Sequence, residues 1–528
     1  MNQITPPPKV EIIPPSAPFS EAQRSWLNGF FAGLLSDAPT PLSAEQGAPV
    51  MNGDGDDGEA PWHDQTMPIA DRMKLAAGRP LRRRMMAAMA QQDCGQCGYN
   101  CHDYSEAIAS KGEARLNLCV PGGKETARML KSLYDEIDQG PAAPVSVSTP
   151  APTSVMVEPG RSRDNPAPAK FLSRRRLNGK GSEKETWHVE FDLSESGLDY
   201  VVGDSFGVFA RNDLGLVDQI IALLGASHTT AVRGKTLREV LADDVSLSPA
   251  PDSLFELISY LTGGALREKA RALAQGEDPD GDAATLDVMA VLQKFAKVRP
   301  HPEAFIESLE PLQPRLYSIS SSHNATPGKL SLTVDCVRYL INKRRRLGLA
   351  STFLAERINP GDEVKVYVQK AHAFSLPQNP KTPIIMVGPG TGIAPFRAFL
   401  LDRRATGAAG KNWLFFGHQR SDCDFFYADE LNTMKTAGLL TRLSLAWSRD
   451  GDKKFYVQDR MREVGRELWT WLAEGAHVYI CGDAKRMAKD VERALVDIVA
   501  QFGARSTDEA IAFVTDLKKK GRFQLDVY

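Results

Sequence analysis

The stretch that most limits what this chain can fold into is Pro383-Ile-Ile-Met-Val-Gly-Pro-Gly-Thr-Gly-Ile-Ala-Pro-Phe-Arg397. An apolar run reads as a buried strand, the glycines turn the chain, and a helix starts at once. Strand, glycine turn and helix in that order build a parallel α/β sheet. At the switch point of such a sheet, backbone amides and Thr391 face a pyrophosphate, with Gly390 and Gly392 leaving room for its approach. No lysine follows the glycines, so the pattern is not a P-loop. Trp413-Leu-Phe-Phe-Gly417 and His477-Val-Tyr-Ile-Cys-Gly-Asp483 repeat the strand-to-turn unit. Between them lies Ala446-Trp-Ser-Arg-Asp-Gly-Asp-Lys-Lys-Phe-Tyr-Val-Gln458, where Ser448, Arg449 and Lys454 offer a hydroxyl and two cations to the 2′-phosphate of NADPH. An acidic residue there would argue for NADH instead.

With 528 residues the chain exceeds one core, and roughly three or four domains are expected. Hydrophobic residues make up 42%, charged residues 25%, and the formal charge is −2. That balance argues against nucleic acid or an anionic membrane as the main partner. The apolar run Trp26-Leu-Asn-Gly-Phe-Phe-Ala-Gly-Leu-Leu35 is shorter than the ~20 residues of a membrane span. Met1-Asn-Gln-Ile-Thr-Pro-Pro-Pro8 has no basic start of a signal peptide, so a cytoplasmic location without a membrane span is expected. Residues 1–60 read as a disordered N-terminus carrying a short amphipathic helix at 20–36, which docks either on the chain itself or on a partner.

Upstream of the parallel sheet the pattern changes to short strands. Thr186–Leu193 and Leu198–Ala210, punctuated by Gly203 and Gly207, predict an antiparallel β-barrel. Residues from about 213 to 310 read as helical, and strands resume at Arg315, Lys329 and Asp362. The expected organisation is a barrel at 170–380 with a helical insertion, followed by the parallel-sheet domain at 381–528. Within the barrel, Arg315-Leu-Tyr-Ser-Ile-Ser-Ser321 offers a guanidinium, an aromatic ring and hydroxyls, the groups a flavin nucleotide needs. Alone it also reads as ordinary half-buried sheet, and its nucleotide-binding neighbours favour the flavin. The helix start at Gly348-Leu-Ala-Ser351 presents free amides to a phosphate.

Seven cysteines in a chain this long are not a disulfide framework, and four lie between Cys94 and Cys119. Cys94-Gly-Gln-Cys-Gly-Tyr-Asn-Cys101 followed by Cys119 fits either a structural zinc or an iron–sulfur cluster. Zinc sites usually pair two separated knuckles, so the spacing favours the cluster, with Cys94, Cys97, Cys101 and Cys119 as ligands. The cysteines sit in a small α-rich domain expected at 61–138. A Pro/Ala/Ser-rich linker is expected at 139–169.

The segment Asp93–Tyr99, with Tyr104, Ala107-Ile108 and Cys119-Val-Pro-Gly-Gly123, resembles the small 4Fe-4S domain of bacterial electron-transfer subunits. Three residues separate Cys97 from Cys101, where that family usually has four. From about Lys170 onward the order of motifs resembles the ferredoxin–NADP⁺ reductase-like half of the diflavin reductases, NADPH sulfite reductase flavoproteins among them. The residues that carry the likeness are Arg315-Leu-Tyr-Ser318, Thr333-Val334, Arg338-Tyr339, Gly348–Ser351, Gly388–Gly392, Ser448-Arg449, Lys454–Gln458, Cys481–Asp483 and Asp526-Val-Tyr528. The resemblance implies FAD held by Arg315, Leu316, Tyr317, Ser318, Thr333, Val334, Asp335, Tyr339 and Gly348, Leu349, Ala350 and Ser351, with Tyr528 stacked on the flavin. It implies NADPH held by Gly390, Thr391, Gly392, Ser448, Arg449, Lys454, Tyr456, Gln458 and Asp490. Ser318, Cys481 and Asp526 would surround the point of hydride transfer. Those relatives carry an FMN-binding domain ahead of the FAD part, and here the cysteine module takes its place. The implied activity is an NADPH-dependent flavoprotein oxidoreductase that feeds a separate acceptor: a sirohaem sulfite reductase subunit or, alternatively, an assimilatory nitrate or nitrite reductase. A zinc-bound module would instead make the chain a docking flavoprotein.

Overall fold

Hydropathy along the strands sets apart two large sheets of different kind. The computed structural model describes residues 60–63, 67–92, 97, 99, 101–119, 121–136, 158–371, 374–484 and 486–528. The expected helix at 20–36, Cys94 and most of the expected linker lie outside the described residues. Residues 60–528 belong to one compact unit.

The cysteine module is built from four helices, α1 (Ile69–Leu75), α2 (Leu81–Ala88), α3 (Cys101–Ala109) and α4 (Gly123–Asp135). Its core joins Met85, Tyr104, Ile108, Leu118 and Leu130 to Cys97, Cys101 and Cys119. Tyr104 is fully buried, and its hydroxyl donates to the Arg115 carbonyl at 2.6 Å while accepting from the Leu118 amide at 3.2 Å. One phenol thereby satisfies two backbone groups and fixes the approach of Cys119 to α3.

The folded barrel starts earlier than the expected boundary at 170. Gly160 donates to Asn165 at 2.6 Å and accepts from the Val368 amide at 2.8 Å, so residues 158–166 already lie against the sheet. The strands are β1 (Ala167–Arg176), β2 (Thr186–Asp192), β3 (Ser205–Val208), β4 (Arg315–Ser318), β5 (Lys329–Asp335) and β8 (Glu363–Gln369); β6 (Arg338–Ile341) and β7 (Arg344–Leu347) form a separate hairpin. Sheet order is β4-β3-β8-β1-β2-β5, antiparallel throughout. The two edges meet through the Ile319–Leu332 bridge and the Ser320 amide on Ser331 at 2.8 Å. Closure of that kind removes exposed edges. Alternate residues such as Phe171, Val189, Phe191, Phe206, Leu332 and Val366 fill the interior. Between β3 and β4 the chain runs through helices from Leu214 to Glu307, which have their own core around Val217, Ile220, Leu254 and Phe305.

The second sheet comprises β9 (Ile384–Val387), β10 (Asn412–His418), β11 (Arg442–Trp447), β12 (His477–Gly482) and β13 (Phe523–Val527), in the order β11-β10-β9-β12-β13 and all parallel. Central β9 is apolar at every position because helices cover both faces. Ile385 and Val387 enter one core, Ile384 and Met386 the other. No helix among the described residues is long and apolar enough to cross a membrane.

Barrel and sheet are joined by a polar seam. Arg397 Nη1 donates to the Ser320 carbonyl at 2.6 Å, and its Nε donates to Glu430 at 2.8 Å. Its guanidinium lies 4.8 Å from the Tyr427 ring centre, and the Tyr427 hydroxyl meets Thr333 at 2.7 Å and His188 at 3.1 Å. Burial, helped by the Arg397 charge, pushes His188 down to about 4, so its imidazole is neutral here at physiological pH.

Candidate active site

Register brings the central residues together. Cys481 of β12 pairs with Asp526 of β13, so both side chains stand on the same side of the parallel sheet. The end of β4 meets them from the barrel: Ser318 Oγ donates to Asp526 Oδ2 at 2.5 Å, and Cys481 Sγ donates to the same oxygen at 3.5 Å. Cys481 is fully buried. Burial and the neighbouring carboxylate push its thiol well above the usual range, so it stays neutral. Burial likewise raises the Asp526 carboxyl, with the Ser318 and Cys481 hydrogen bonds pulling the other way. A poised carboxylate with two donors can stabilise positive charge that develops beside it.

Two grooves flank this junction, and Asp335 lines both. The groove on the sheet side, about 670 Å³, is lined by Gly390, Thr391, Ser448, Tyr456, Gln458, Asp490 and Tyr528. The glycine turn fits a bulky anion. Gly390 has φ +58°, and a Cβ added there would meet nothing closer than 3.9 Å, so it borders open space. At Gly392 a Cβ would lie 2.1 Å from the Cys481 carbonyl oxygen, so the turn can press against β12 only as glycine. Tyr528 is half exposed, and its hydroxyl shares a hydrogen bond with Thr391 Oγ1 at 2.7 Å. Arg449 lies outside the groove lining and forms an ion pair with Glu183. Lys454 is exposed on the same loop. Asp483, part of the Cys481–Asp483 motif, also lines the groove, as do His418, Gln419 and Arg486, which the sequence reading did not single out.

The groove on the barrel side, about 520 Å³, is lined by Arg315, Leu316, Tyr317, Asp335, Tyr339, Gly348, Leu349, Ala350 and Ser351. Thr333 and Val334 lie in the barrel wall beside it: Thr333 is held by Tyr427, and Val334 belongs to the core. Four further arginines line the groove: Arg344, Arg345 and Arg346 of the β6–β7 hairpin, and Arg357. The run Lys343-Arg-Arg-Arg346 was the available signal. Arg346 Nε and Arg357 Nε are buried without hydrogen-bond partners. A groove with surplus buried guanidinium donors and an aromatic wall fits a dinucleotide with a pyrophosphate and a flat ring.

In the cysteine module, Cys97, Cys101 and Cys119 share one buried core. Burial raises the Cys119 thiol, while backbone groups of Ala90 and Gly122 and the Arg72 charge oppose that rise. Gly122 is needed close by, since a Cβ there would lie 3.0 Å from Cys119 Sγ and closer still to Thr126. Backbone hydrogen bonds to buried sulfur suit a thiolate at Cys119, while among the described residues, which leave out Cys94, no three His, Cys, Asp or Glu side chains are grouped to hold a metal ion.

Comparison with known proteins agrees with this geometry. Family models match for an oxidoreductase NAD-binding domain over residues 386–493, an FAD binding domain over 159–290 and 280–353, and a putative Fe-S cluster over 90–121. The chain is similar to sulfite reductase [NADPH] flavoprotein alpha-components. It is 44% identical to that of Photorhabdus laumondii over 69% of this chain and 61% of the relative. It is 42% identical to that of Klebsiella pneumoniae over 80% and 71%, and 43% identical to that of Escherichia coli over 80% and 70%. The chain therefore spans somewhat under two thirds of the first relative's length and slightly more of the other two. With iron–sulfur, FAD-binding and NAD-binding segments in this order, the chain is an oxidoreductase that belongs to the NADPH sulfite reductase flavoprotein family.

Proposed function

We propose that the chain takes electrons from NADPH onto FAD and passes them through a 4Fe-4S cluster to a separate cytoplasmic acceptor protein, a sulfite reductase haemoprotein. The observation that carries this reading is the Ser318–Asp526–Cys481 junction between the two grooves. In this reading Arg315, Tyr317, Ser318, Tyr339 and Gly348–Ser351 hold FAD, and Gly390–Gly392, Ser448, Tyr456, Gln458 and Asp490 hold NADPH. Arg449 and Lys454 would reach the 2′-phosphate from the neighbouring loop, and Cys94, Cys97, Cys101 and Cys119 bind the cluster. When bound, these groups supply a hydride acceptor and one-electron carriers, chemistry that side chains lack. The chain's own residues do the remaining work. Asp526 carries the negative charge that favours a cation forming beside it, Ser318 orients that carboxylate, and buried Cys481 provides a soft wall whose neutral thiol donates to the same carboxylate. Tyr528 lids the junction from its hydrogen bond to Thr391 and gives way on substrate entry.

The choice of acceptor is supported by the relatives, which are flavoprotein alpha-components of NADPH sulfite reductase. The test is reconstitution: purified protein mixed with a sirohaem sulfite reductase subunit should oxidise NADPH only when sulfite is present. Turnover with a nitrite reductase and none with the sulfite enzyme would reassign the acceptor.

A further inference from the structure

His418 closes β10 where that strand opens into the sheet-side groove. Only 9% of its side chain is exposed, yet the residue lines the groove. Its backbone and its ring serve different loops. The carbonyl accepts from the Ser448 amide at 2.9 Å and from the Ser448 hydroxyl at 3.3 Å. The ring packs on Phe426, with centres 4.8 Å apart, and its Cδ2 stands 3.9 Å from where a Cβ on Gly390 would be. The imidazole therefore reaches the glycine turn while the backbone holds the Ser448 loop.

The hydrogen bonds around the ring assign its proton. Nδ1 accepts from the Gln419 amide at 2.8 Å, and a proton on Nδ1 would point into that N–H. Asp424 Oδ2 lies 3.3 Å from Nδ1. This fully buried carboxylate already accepts from Asn178 at 2.8 Å, Ser182 at 2.5 Å and the Arg420 amide at 3.1 Å. Burial favours the neutral ring, which then carries its hydrogen on Nε2. Among the described residues, the polar contacts of this ring are all made by Nδ1. A histidine kept only for packing would have both nitrogens satisfied inside the protein. Here the free N–H belongs to the edge that abuts the glycine turn, in a groove whose water a ligand would displace.

We propose that His418 is a further dinucleotide-binding residue, whose Nε2–H donates to the pyrophosphate seated on the Gly390–Gly392 turn. The inference rests on the reading of this groove as the NADPH site. The acceptor is the pyrophosphate rather than the 2′-phosphate, because the Nε2 edge abuts the turn and only the carbonyl faces Ser448. A neutral donor gives the anion a hydrogen bond without a net charge, so it orients the pyrophosphate on the turn's amides.

The experiment is titration of flavin-loaded protein with NADP⁺ and with 2′-AMP, which carries the 2′-phosphate but no pyrophosphate; thermal melting is measured on the same samples. His418→Asn keeps an amide near Nδ1 but ends short of Nε2, whereas His418→Gln carries an amide N–H out to it. His418→Asn should bind NADP⁺ about tenfold more weakly, His418→Gln should regain most of that loss, and 2′-AMP should bind all three proteins alike. Unweakened NADP⁺ binding by His418→Asn, an equal loss in both variants, or a matching loss of 2′-AMP would overturn the inference and leave the groove's assignment intact. Binding of neither nucleotide by the unaltered protein would overturn the NADPH reading and this inference with it.

Discussion

Replacing Asp526 by asparagine separates chemistry from folding. The side chain keeps its size but loses the charge that Ser318 and Cys481 now approach at 2.5 and 3.5 Å. A hydrogen bond to a charged group is worth ~1.5–3 kcal/mol, and at ~1.4 kcal/mol per decade hydride transfer should slow by roughly ten- to a hundredfold. Asp526 does not line the sheet-side groove proposed for NADPH, so NADPH affinity should change little. Stability should move the other way. Burial raises the Asp526 carboxyl, so the folded chain holds that proton more tightly than the unfolded one. Ionisation then costs stability as pH climbs from the ordinary carboxylate range near ~4 through the raised folded value, and above it the cost is complete. Asparagine carries no such cost, so at neutral pH the variant should melt at the same temperature or higher. The assay is stopped-flow flavin reduction by NADPH, paired with thermal melting. An unchanged reduction rate, or a slower rate matched by a falling melting temperature, would refute the assigned role.

Three further expectations follow from the same geometry. Gly392→Ala puts a Cβ 2.1 Å from the Cys481 carbonyl oxygen, a backbone collision that should cost ~1–3 kcal/mol or more and weaken NADPH binding; a melting temperature equal to the unaltered protein's would contradict it. Hydrogen bonds from Arg115 hold the Glu113 carboxyl down to about 2, so its stabilising pairing is complete above the ordinary glutamate range and is lost as pH falls toward that value; a pH series of melts should show Glu113→Gln losing stability at neutral pH and converging with the parent in acid. Joint Ser448→Ala and Arg449→Ala substitution should raise KM for NADPH and leave NADH unaffected, whereas Glu183→Ala, which frees Arg449 from its ion pair, should leave NADPH binding equal or tighter. Equal losses with both nucleotides would remove these residues from the phosphate site.

The sequence made the local elements legible where chemistry allows few alternatives. The glycine turn at 388–392 announces both its strand and its groove, because only glycine fits against Cys481. The helical insertion stood out because its 3.6-residue periodicity interrupts a period of two. Ser318 and Asp526 were grouped through resemblance alone; their contact depends on the Cys481–Asp526 register and on closure of the seam, which no local pattern encodes. The same holds for Arg449, whose partner Glu183 is distant in sequence. The early start of the barrel at 158–166 was missed because a proline-rich composition masks a segment that pairs by backbone groups.

The most direct test of the electron route is an anaerobic NADPH titration of freshly purified protein, followed by visible absorption and low-temperature EPR. The account predicts bleaching of the flavin and then a reduced iron–sulfur signal that accounts for the remaining electrons. Flavin bleaching without that signal, with zinc in place of iron on metal analysis, would contradict the relay and leave the cysteine module a docking element.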